Sequence, residues 1–538
     1  MAACGGGGPT GPITAHVDHY DYRFDVDSRV AHATLTATVE TGGDCLTLPF
    51  RAEGFDANTA KVDGAAAGGS LAGSQLTLCG DGTDEGGTLT LDVDMTIPMK
   101  TLSTSQVGYS IATDFDGNPF YYLVSWVDGC DQFGPCDSRP DQFATYTFHV
   151  THPDTFMARC PGVVTEVSAT ETQCDFALAG GPTYSTFGVA AYPRAAWPMI
   201  DKGMWGSVHA VVYDRATTGI DALIDPAYHG QFISFMESTF GAFPFGGELR
   251  VLTAPTYWDG FEHPGNIVLR DGIAKVKSAY LHPVAHTLDH EMAHQWAGDQ
   301  TTIAGTYDFV WKEATAEYLA FVHEDMADPV AARATGTAWR SFAQSARFFP
   351  VPDEKPALFD YYGDAYGPGP MILFRQLEVL SSRDQVIAAL KSVLGKQRAL
   401  SVDELVAALA TSTGLDLTAY AAAWLHGSGA PDWPRMALTF TPGAAAGMPG
   451  TLEVHQTNPS DRRCKFHVAL QGANASEQQL VEVDTFRNGM DQTVTVPTPA
   501  FAVASTVLDP LRECLVFGAA VQTPPGEPIH PWRSASSR

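Results

Sequence analysis

Basic residues are scarce in this chain. Its 538 residues include 32 lysines and arginines against 61 aspartates and glutamates, so the formal net charge is −29. A nucleic-acid partner requires basic patches that contact the phosphate backbone, and this charge balance argues strongly against one. The acidity favours solubility and gives some attraction for cationic substrates. We therefore expect no nucleic-acid partner.

Long apolar runs are also lacking. Hydrophobic residues make up 45% of the chain, but no run approaches the roughly eighteen residues that a membrane-spanning helix needs. The sequence therefore predicts a globular protein without a transmembrane helix. At this length one hydrophobic core is not enough, and several domains are expected.

The nine cysteines lack metal-ligand spacing such as Cys-x-x-Cys. Cys4 stands alone, and proximity in the sequence pairs the other eight as Cys45 with Cys79, Cys130 with Cys136, Cys160 with Cys174, and Cys464 with Cys514. This connectivity is a hypothesis, because many pairings of eight cysteines are possible. Reduced cysteines in a cytosolic enzyme are the alternative. Disulfides would indicate an oxidising compartment, namely the bacterial periplasm, the cell surface or the medium.

The first residues fit an extracytoplasmic location. Ala2-Ala3-Cys4, followed by four glycines, resembles the end of a bacterial lipoprotein signal, in which the cysteine receives the lipid. The apolar segment that precedes such a site is not in the sequence. Either the chain begins at the cleavage site or the resemblance is accidental. We expect residues 1–18 to form a flexible tether, with Cys4 as the one point of membrane attachment.

The pattern of apolar residues changes twice along the chain. Short alternating runs separated by Gly, Asp and Pro clusters are typical of antiparallel β-structure, and they dominate the first part and return near the end. Helical patterns lie between them. We therefore predict a multidomain α+β protein with an N-terminal β-domain over residues 19–200, a mostly helical domain over 201–434, a small β-sandwich over 435–522 and a Pro- and Ser-rich tail over 523–538. The predicted helices are 227–240, 283–297, 313–325, 370–380, 384–394 and 402–411.

The motif His-Glu-Met-Ala-His at residues 290–294 is the most informative feature of the sequence. A helix turns about 100° per residue, so His290 and His294 share one face and can bind one divalent ion. Glu313 follows after eighteen intervening residues and offers a third ligand. Two histidines and a carboxylate with an open fourth position form a recurrent catalytic zinc site, whereas structural zinc sites are closed and usually contain cysteine. Glu291 is left to move protons.

The residues around this motif suit a helix. Pro283 can begin it, Gly298 is placed to end it, and an apolar stripe runs along it, which argues against a chance match on a surface helix. The stripe comprises Val284, Leu288, Met292 and Trp296.

Two further segments contain residues suited to such a site. Residues 257–265 include Glu262, a carboxylate that could bind the ammonium group of a peptide's first residue, although a plain acidic loop is the alternative. Residues 361–370 include Tyr362 and Tyr366, and either could donate a hydrogen bond to a developing oxyanion. Each tyrosine could instead be a packing aromatic.

These segments resemble the motifs of the aminopeptidase N-like gluzincins. Residues 290–299 are close to the family's H-E-L-A-H-Q-W-F-G-D, and residues 311–318 parallel its N-E-G-F-A-x-Y. Residues 133–140 resemble F-P-C-x-D-E-P, and residues 416–431 resemble D-L-x-x-F-x-x-W-L-x-x-x-G-x-P. The resemblance covers most of residues 19–434. It implies a β-saddle domain, a thermolysin-like catalytic domain and a C-terminal β-sandwich, in a short form without the large C-terminal helical domain of longer relatives.

The resemblance also implies residue roles. His290, His294 and Glu313 would bind one zinc ion per chain, and Glu291 would be the general base. The family's G-x-M-E-N motif falls on residues 259–263, so Glu262 would bind the free amine of the substrate, with His263 beside it. Tyr366 aligns with the catalytic tyrosine of Y-x-K-G-A.

The sequence departs from the family at both substrate-binding segments. Asp259, Phe261 and His263 stand where the family has Gly, Met and Asn. Pro368 and Pro370 replace the Lys and Ala that follow the catalytic tyrosine, so Tyr362 remains an alternative to Tyr366. A second amine-binding residue, expected some ten residues before Cys136, has no clean counterpart, and Asp128 is a weak substitute.

The sequence thus predicts a monomeric zinc aminopeptidase acting on peptides with a free N-terminus. One alternative is an endopeptidase or a hydrolase of non-peptide substrates that uses the same site. Another is a non-catalytic surface lipoprotein that kept the metal site. The preferred first residue of the substrate depends on pocket walls from several segments and is not specified by these motifs.

Overall fold

The computed structural model describes residues 9–519, except 52, 57–58, 100–107 and 128. Cys4, the whole of the predicted tail and Asp128 therefore lie outside the described residues. The chain divides into two compact units. The first contains the described part of Met1–Val276 with Thr287–Gly305 and Gly395–Ala399, and the second contains Lys277–His286, Thr306–Leu394 and the described part of Leu400–Arg538.

The first unit begins with an eleven-stranded sheet. Its long strands alternate buried apolar and exposed polar side chains, which is the pattern of a sheet with one face on a core. The strands are β1 (Pro12–Asp25), β2 (Val30–Thr41), β3 (Gly43–Pro49), β4 (Lys61–Val62), β5 (Ala65–Ala66), β6 (Gly68–Ala72), β7 (Gln75–Thr83), β8 (Thr88–Thr96), β11 (Phe143–Thr151), β13 (Val163–Ser168) and β14 (Glu171–Pro182). Strand β1 pairs antiparallel with β2 and parallel with β11. The predicted β-rich N-terminal region is confirmed.

A four-stranded sheet and a short helix follow. The sheet comprises β9 (Gly108–Thr113), β10 (Pro119–Val124), β12 (Phe156–Arg159) and β15 (Gly188–Pro193). Helix α1 (Thr183–Thr186) connects β14 to β15 and is buried. A 3-10 turn spans Cys130–Gln132.

All four predicted disulfides are present. They join Cys45 to Cys79, Cys130 to Cys136, Cys160 to Cys174 and Cys464 to Cys514. The first links the paired strands β3 and β7. Each pair joins segments that are close in the chain, so proximity was a sufficient guide.

A five-stranded sheet contains the strand that leads into Glu262 and His263. Its strands are β16 (Met199–Trp205), β17 (Val208–Tyr213), β18 (Glu248–Ala254), β19 (Gly260–Phe261) and β20 (Asn266–Arg270), in the order β16-β17-β18-β20-β19. Strands β17, β18 and β20 are parallel and almost wholly buried, as parallel strands usually are. Helix α2 (Pro226–Phe240) forms the crossover between β17 and β18, begun by Asp225 and Pro226. Strand β19 lies at the sheet edge, antiparallel to β20. A 3-10 turn spans Asp221–Leu223, and the short strands β21 (Thr301–Ile303) and β23 (Arg398–Leu400) lie farther along the chain.

Helix α3 (Pro283–His294) contains the His-Glu-Met-Ala-His motif. Pro283 begins it as predicted, but it ends at His294 rather than near residue 297. A tight turn follows, in which the Asp299 amide donates to the His294 carbonyl at 2.9 Å. Gly298 has a φ of 146° in this turn and donates its amide to the Thr301 carbonyl, so it belongs to the turn that follows the helix.

The second unit is mostly helical. Its helices are α4 (Phe309–Ala327), α5 (Pro329–Gln344), α6 (Leu358–Tyr361), α7 (Pro368–Pro370), α8 (Gln376–Leu380), α9 (Arg383–Val393), α10 (Val402–Thr413), α11 (Thr418–Trp424) and α12 (Thr485–Asn488), with a π-helical turn at Met371–Arg375 and 3-10 turns at Thr306–Asp308 and Tyr362–Asp364. Helix α4 begins four residues before the predicted start at Glu313. Helix α5 was not predicted. Asp328 caps it, accepting hydrogen bonds from the Val330 and Ala331 amides, and Pro329 occupies its first position.

Strands return after the helices, as predicted. They form a four-stranded sheet, β29-β26-β25-β31, and a three-stranded sheet, β28-β27-β30. Their bounds are β25 (Arg435–Thr441), β26 (Pro449–Gln456), β27 (Lys465–Gln471), β28 (Gln478–Asp484), β29 (Gln492–Pro497), β30 (Ser505–Leu508) and β31 (Phe517–Gly518), and β22 (Val351–Pro352) pairs with β24 (His426–Gly427). The multidomain α+β architecture is confirmed. Among the described residues, no helix combines the length and hydrophobicity needed to cross a membrane.

Candidate active site

His290 and His294 lie on the last turn of α3 and are buried. Their Nε2 atoms face each other at 3.0 Å. Nδ1 of His294 donates to the Ala297 carbonyl at 3.0 Å, which leaves the lone pair of that ring on Nε2. The turn after the helix thus fixes the tautomer that a metal ligand requires.

Glu313 lies on the second turn of α4 and is buried. Lys312 is buried as well, and its Nζ lies 2.7 Å from Glu313 Oε1. The sequence reading did not assign a role to Lys312, which stands at the family's Asn position. An uncompensated charge is costly in such a buried place, so Lys312 stabilises the Glu313 carboxylate.

The three predicted ligands form a donor set that suits zinc. The ligand atoms of His290, His294 and Glu313 all lie within 4.8 Å of one another. Two imidazole nitrogens 3.0 Å apart require a proton or a cation between them. Calcium and magnesium prefer all-oxygen sites, whereas two imidazoles with one carboxylate match catalytic zinc sites. These residues therefore fit the expected ion.

Glu291 follows His290 in α3 and is only 4% exposed. Gly260, at the start of β19, lies directly against its carboxylate: a Cβ added at Gly260 would be 2.2 Å from Glu291 Oε1. Strand β19 can approach the predicted general base this closely because residue 260 has no side chain.

Glu262 and His263 follow β19 directly, and both are buried. Burial lowers the pKa of His263 to about 4, opposed by its hydrogen bond to the Ser185 carbonyl and by the Glu262 charge. The ring is therefore neutral near pH 7, and its Nδ1 donates to that carbonyl at 2.5 Å. It also packs against Phe261, with ring centroids 4.5 Å apart.

Asp259 stands at the family's first Gly position, and its side chain forms an ion pair. Its carboxylate lies 3.2 Å from Arg270 on β20. Burial raises the pKa of Asp259, and the Arg270 charge opposes that rise. The substitution is thus accommodated within the sheet.

Tyr366 and Tyr362 are joined by a hydrogen bond of 2.6 Å between their hydroxyls. Burial raises the pKa of Tyr366 well above its ordinary value, and the Glu313 carboxylate and the Tyr362 hydroxyl raise it further. Pro368 replaces the family's Lys because it begins α7, where proline is well tolerated. Both tyrosines stay candidates for the predicted role.

A second charged cluster lies one helical turn from the ligands along each helix. His286 of α3 contacts Glu317 at 3.2 Å and Glu324 at 2.9 Å, and both acids belong to α4. Burial lowers the pKa of His286, but the carboxylates of Glu324 and Glu317 outweigh it and raise the value to about 10. Trp339 and Tyr280 also donate to Glu317. Sequence reasoning missed this cluster, whose one signal is the helical spacing of His286 from His290 and of Glu317 from Glu313.

No family model matches the sequence, and no curated protein matches it. Solved structures do. The M1 zinc metallopeptidase of Deinococcus radiodurans has a TM-score of 0.62 at 20% identity, covering 78% of this chain and 95% of that chain. The chain has the fold of M1 zinc metallopeptidases. The predicted resemblance to the aminopeptidase N-like family is thereby confirmed at the level of the fold.

Two further structures support this likeness. A mutant of the Deinococcus radiodurans peptidase, bound to a Tyr-Ser-Ala substrate, has a TM-score of 0.62 at 19% identity and covers 78% of this chain and 96% of that chain. Aminopeptidase A of Legionella pneumophila, in complex with aspartic acid, has a TM-score of 0.72 at 14% identity. That match covers 95% of this chain but 60% of the Legionella chain.

Proposed function

We propose that this protein is a zinc-dependent aminopeptidase that removes the first residue from peptides. The observation that carries the proposal is the buried set of His290, His294 and Glu313, with the Glu291 carboxylate on the same helix as the two histidines. The M1 peptidase fold supports it, as does the peptide bound to one structural neighbour. One zinc ion per chain is sufficient for this chemistry.

Different side chains perform the separate steps of hydrolysis. Bound at this site, the ion would supply Lewis acidity to the scissile carbonyl and to water. Glu291 takes a proton from the attacking water and delivers it to the leaving amine. Tyr366 donates a hydrogen bond to the developing oxyanion, with Tyr362 as the alternative donor.

Glu262 turns a peptidase into an enzyme that recognises chain ends. A buried carboxylate forms a strong charge-assisted hydrogen bond with a free ammonium group, and an amino-blocked substrate has no such charge to offer. Glu262 and His263 directly follow β19, at the edge of the five-stranded sheet, where an extended peptide can add as a further strand. We assign the substrate's amino group to Glu262, with His263 completing the same segment.

Aminoacyl fluorogenic substrates, with and without a chelator, test this function. We expect turnover of substrates with a free amine, loss of activity with the chelator, and recovery on adding zinc. Cleavage of amino-blocked peptides at a similar rate would instead indicate an endopeptidase. Zinc binding without turnover of any peptide would indicate a non-catalytic protein.

The remaining assignments belong to the same proposal. The domains are a β-saddle domain over residues 19–200, a thermolysin-like domain over 201–434 and a β-sandwich over 435–522. We propose an extracytoplasmic, monomeric protein, and four disulfides support the oxidising compartment. The predicted lipid attachment at Cys4 lies outside the described residues and stays a prediction.

A further inference from the structure

Gln295 is the first residue after α3 and is completely buried. Its Oε1 accepts a hydrogen bond from the Gly265 amide at 2.7 Å. Its Nε2 donates to the Glu262 carbonyl at 3.2 Å. One amide group therefore holds both ends of the segment from Glu262 to Gly265, directly beside the metal ligand His294.

Asp299 extends this contact in the turn after α3. Gln295 Nε2 lies 3.3 Å from Asp299 Oδ2, and the Asp299 amide donates to the His294 carbonyl at 2.9 Å. Ser185 of α1 donates through Oγ to Asp299 Oδ1 at 2.6 Å. The carboxylate is thus satisfied by two side-chain donors, although it is fully buried.

His263 closes the network. Its Nδ1 donates to the Ser185 carbonyl at 2.5 Å. Gly188 lies flat against the ring, since a Cβ there would be 2.1 Å from His263 Cγ. The hydrogen bonds therefore run from Gln295 to the segment of Glu262 and His263, on to Ser185, and back through Asp299 to Gln295. Every side chain in this ring is buried, so no bond in it competes with bulk water.

An enzyme that removes single residues must hold the substrate's amine at a fixed distance from the reacting carbonyl. We propose that Gln295 is the positioning residue that sets this distance, because it ties the backbone of Glu262 to the end of the helix that carries His294. Asp299 and Ser185 hold Gln295 and His263 in turn. This inference rests on the proposed function and assigns a new role to residues that touch neither substrate nor metal. Small errors in the placement of substrate-binding groups have large effects on rate.

The test compares two buried glutamines. Gln376 is also completely buried, donates to the Tyr420 hydroxyl at 2.7 Å and accepts from the Leu515 amide at 3.0 Å. Gln295→Met and Gln376→Met therefore both remove buried amide hydrogen bonds: two at Gln376, and those to Gly265, Glu262 and Asp299 at Gln295. For Gln295→Met we expect KM for a free-amine substrate to rise about 10-fold, with a smaller fall in kcat and unchanged zinc content. Gln376→Met should lower the unfolding temperature without changing KM.

Ser185→Ala is the milder second variant, because it removes the hydroxyl and keeps the carbonyl that accepts from His263. We expect a rise in KM of about 2- to 5-fold. Equal changes in KM for Gln295→Met and Gln376→Met would overturn the proposal. So would a wild-type KM in both Gln295→Met and Ser185→Ala.

Hydrogen exchange of residues 259–266 separates this proposal from the proposed function. The Gly265 amide loses its acceptor in Gln295→Met, so this segment should exchange faster while zinc stays bound. Unchanged exchange would overturn the positioning role even in an active enzyme. If the wild-type protein cleaves no free-amine substrate, the proposed function fails, and the exchange measurement alone decides whether Gln295 fixes the segment.

Discussion

Gly260 packs so closely against Glu291 that a Cβ at residue 260 would lie 2.2 Å from the carboxylate oxygen. The nearest obstacle is the end of a side chain, so Gly260→Ala can fold by displacing the Glu291 carboxylate. We expect kcat to fall about 100-fold, since displacement of a catalytic group by about 1 Å has effects of this size. Zinc content should be unchanged, as the ligands are not touched.

Gly247→Ala is the matched control for that substitution. Gly247 is exposed, and a Cβ there has no atom within 4 Å. Its kcat should equal that of the wild type. Wild-type kcat in Gly260→Ala would show that the contact with Glu291 has no catalytic consequence.

Glu262→Gln tests recognition of the substrate's amine. The substitution keeps the size of the side chain and removes its charge, so KM for free-amine substrates should rise about 10- to 100-fold. Steady-state kinetics on one aminoacyl substrate measures this. Glu482 lies on β28, and its side chain is 54% exposed. Glu482→Gln therefore serves as the control for the change in net charge. A KM unaffected by Glu262→Gln would assign the amine to another residue.

Phenylalanine substitutions decide between the two tyrosines. Loss of a single oxyanion donor lowers kcat by about 100- to 1000-fold, and we expect this for Tyr366→Phe. Tyr362→Phe should have a smaller effect, because it removes one hydrogen-bond partner of the Tyr366 hydroxyl and leaves that hydroxyl in place. The reverse order of kcat values would identify Tyr362 as the donor.

The His286 cluster predicts a specific pH dependence of stability. The pKa of His286 in the folded protein is about 10, above its ordinary value of 6.5, because the carboxylates of Glu324 and Glu317 outweigh burial. The imidazolium therefore stabilises the fold fully below pH 6.5, and this contribution is lost as pH rises towards 10. Tyr280, a further titratable group in this cluster, stacks on the His286 ring and donates to Glu317.

Thermal unfolding between pH 6.5 and 10 measures this contribution. The wild-type unfolding temperature should fall across the window. His286→Gln should unfold several degrees lower at pH 6.5, because it leaves two buried carboxylates without their cation. Its unfolding temperature should depend less on pH. Parallel curves for the two proteins would contradict the ion cluster.

Local patterns in the sequence were enough to predict that His290 and His294 share one face of a helix, and to locate most of the long helices. The spacing of His290 and His294 specifies one helical face whatever the rest of the chain does. The helix 402–411 was predicted to within two residues of α10, whose ends are capped by Ser401 and Gly414. Proximity was enough for the disulfides, since each joins two cysteines that are consecutive in the sequence.

Contacts between distant segments could not be predicted. Ser185 forms hydrogen bonds with Asp299 and His263 only after the chain has folded, and the sequence around Ser185 contains no pattern that predicts these contacts. The close approach of Gly260 to Glu291 likewise depends on where the sheet edge lies. Helix α5 was missed although Asp328 and Pro329 are a good start signal, because its apolar residues are mostly alanines, which give a weak periodic pattern.

The proposed hydrolysis depends most on Glu291 as the base that moves the proton. Glu291→Gln keeps the shape of the side chain and leaves His290, His294 and Glu313 intact, so zinc content and turnover can be measured on the same sample. Loss of general-base catalysis lowers the rate about 100- to 10,000-fold. The account predicts one zinc ion per chain and at most about 1% of wild-type kcat in this variant. Wild-type turnover with zinc bound would contradict it.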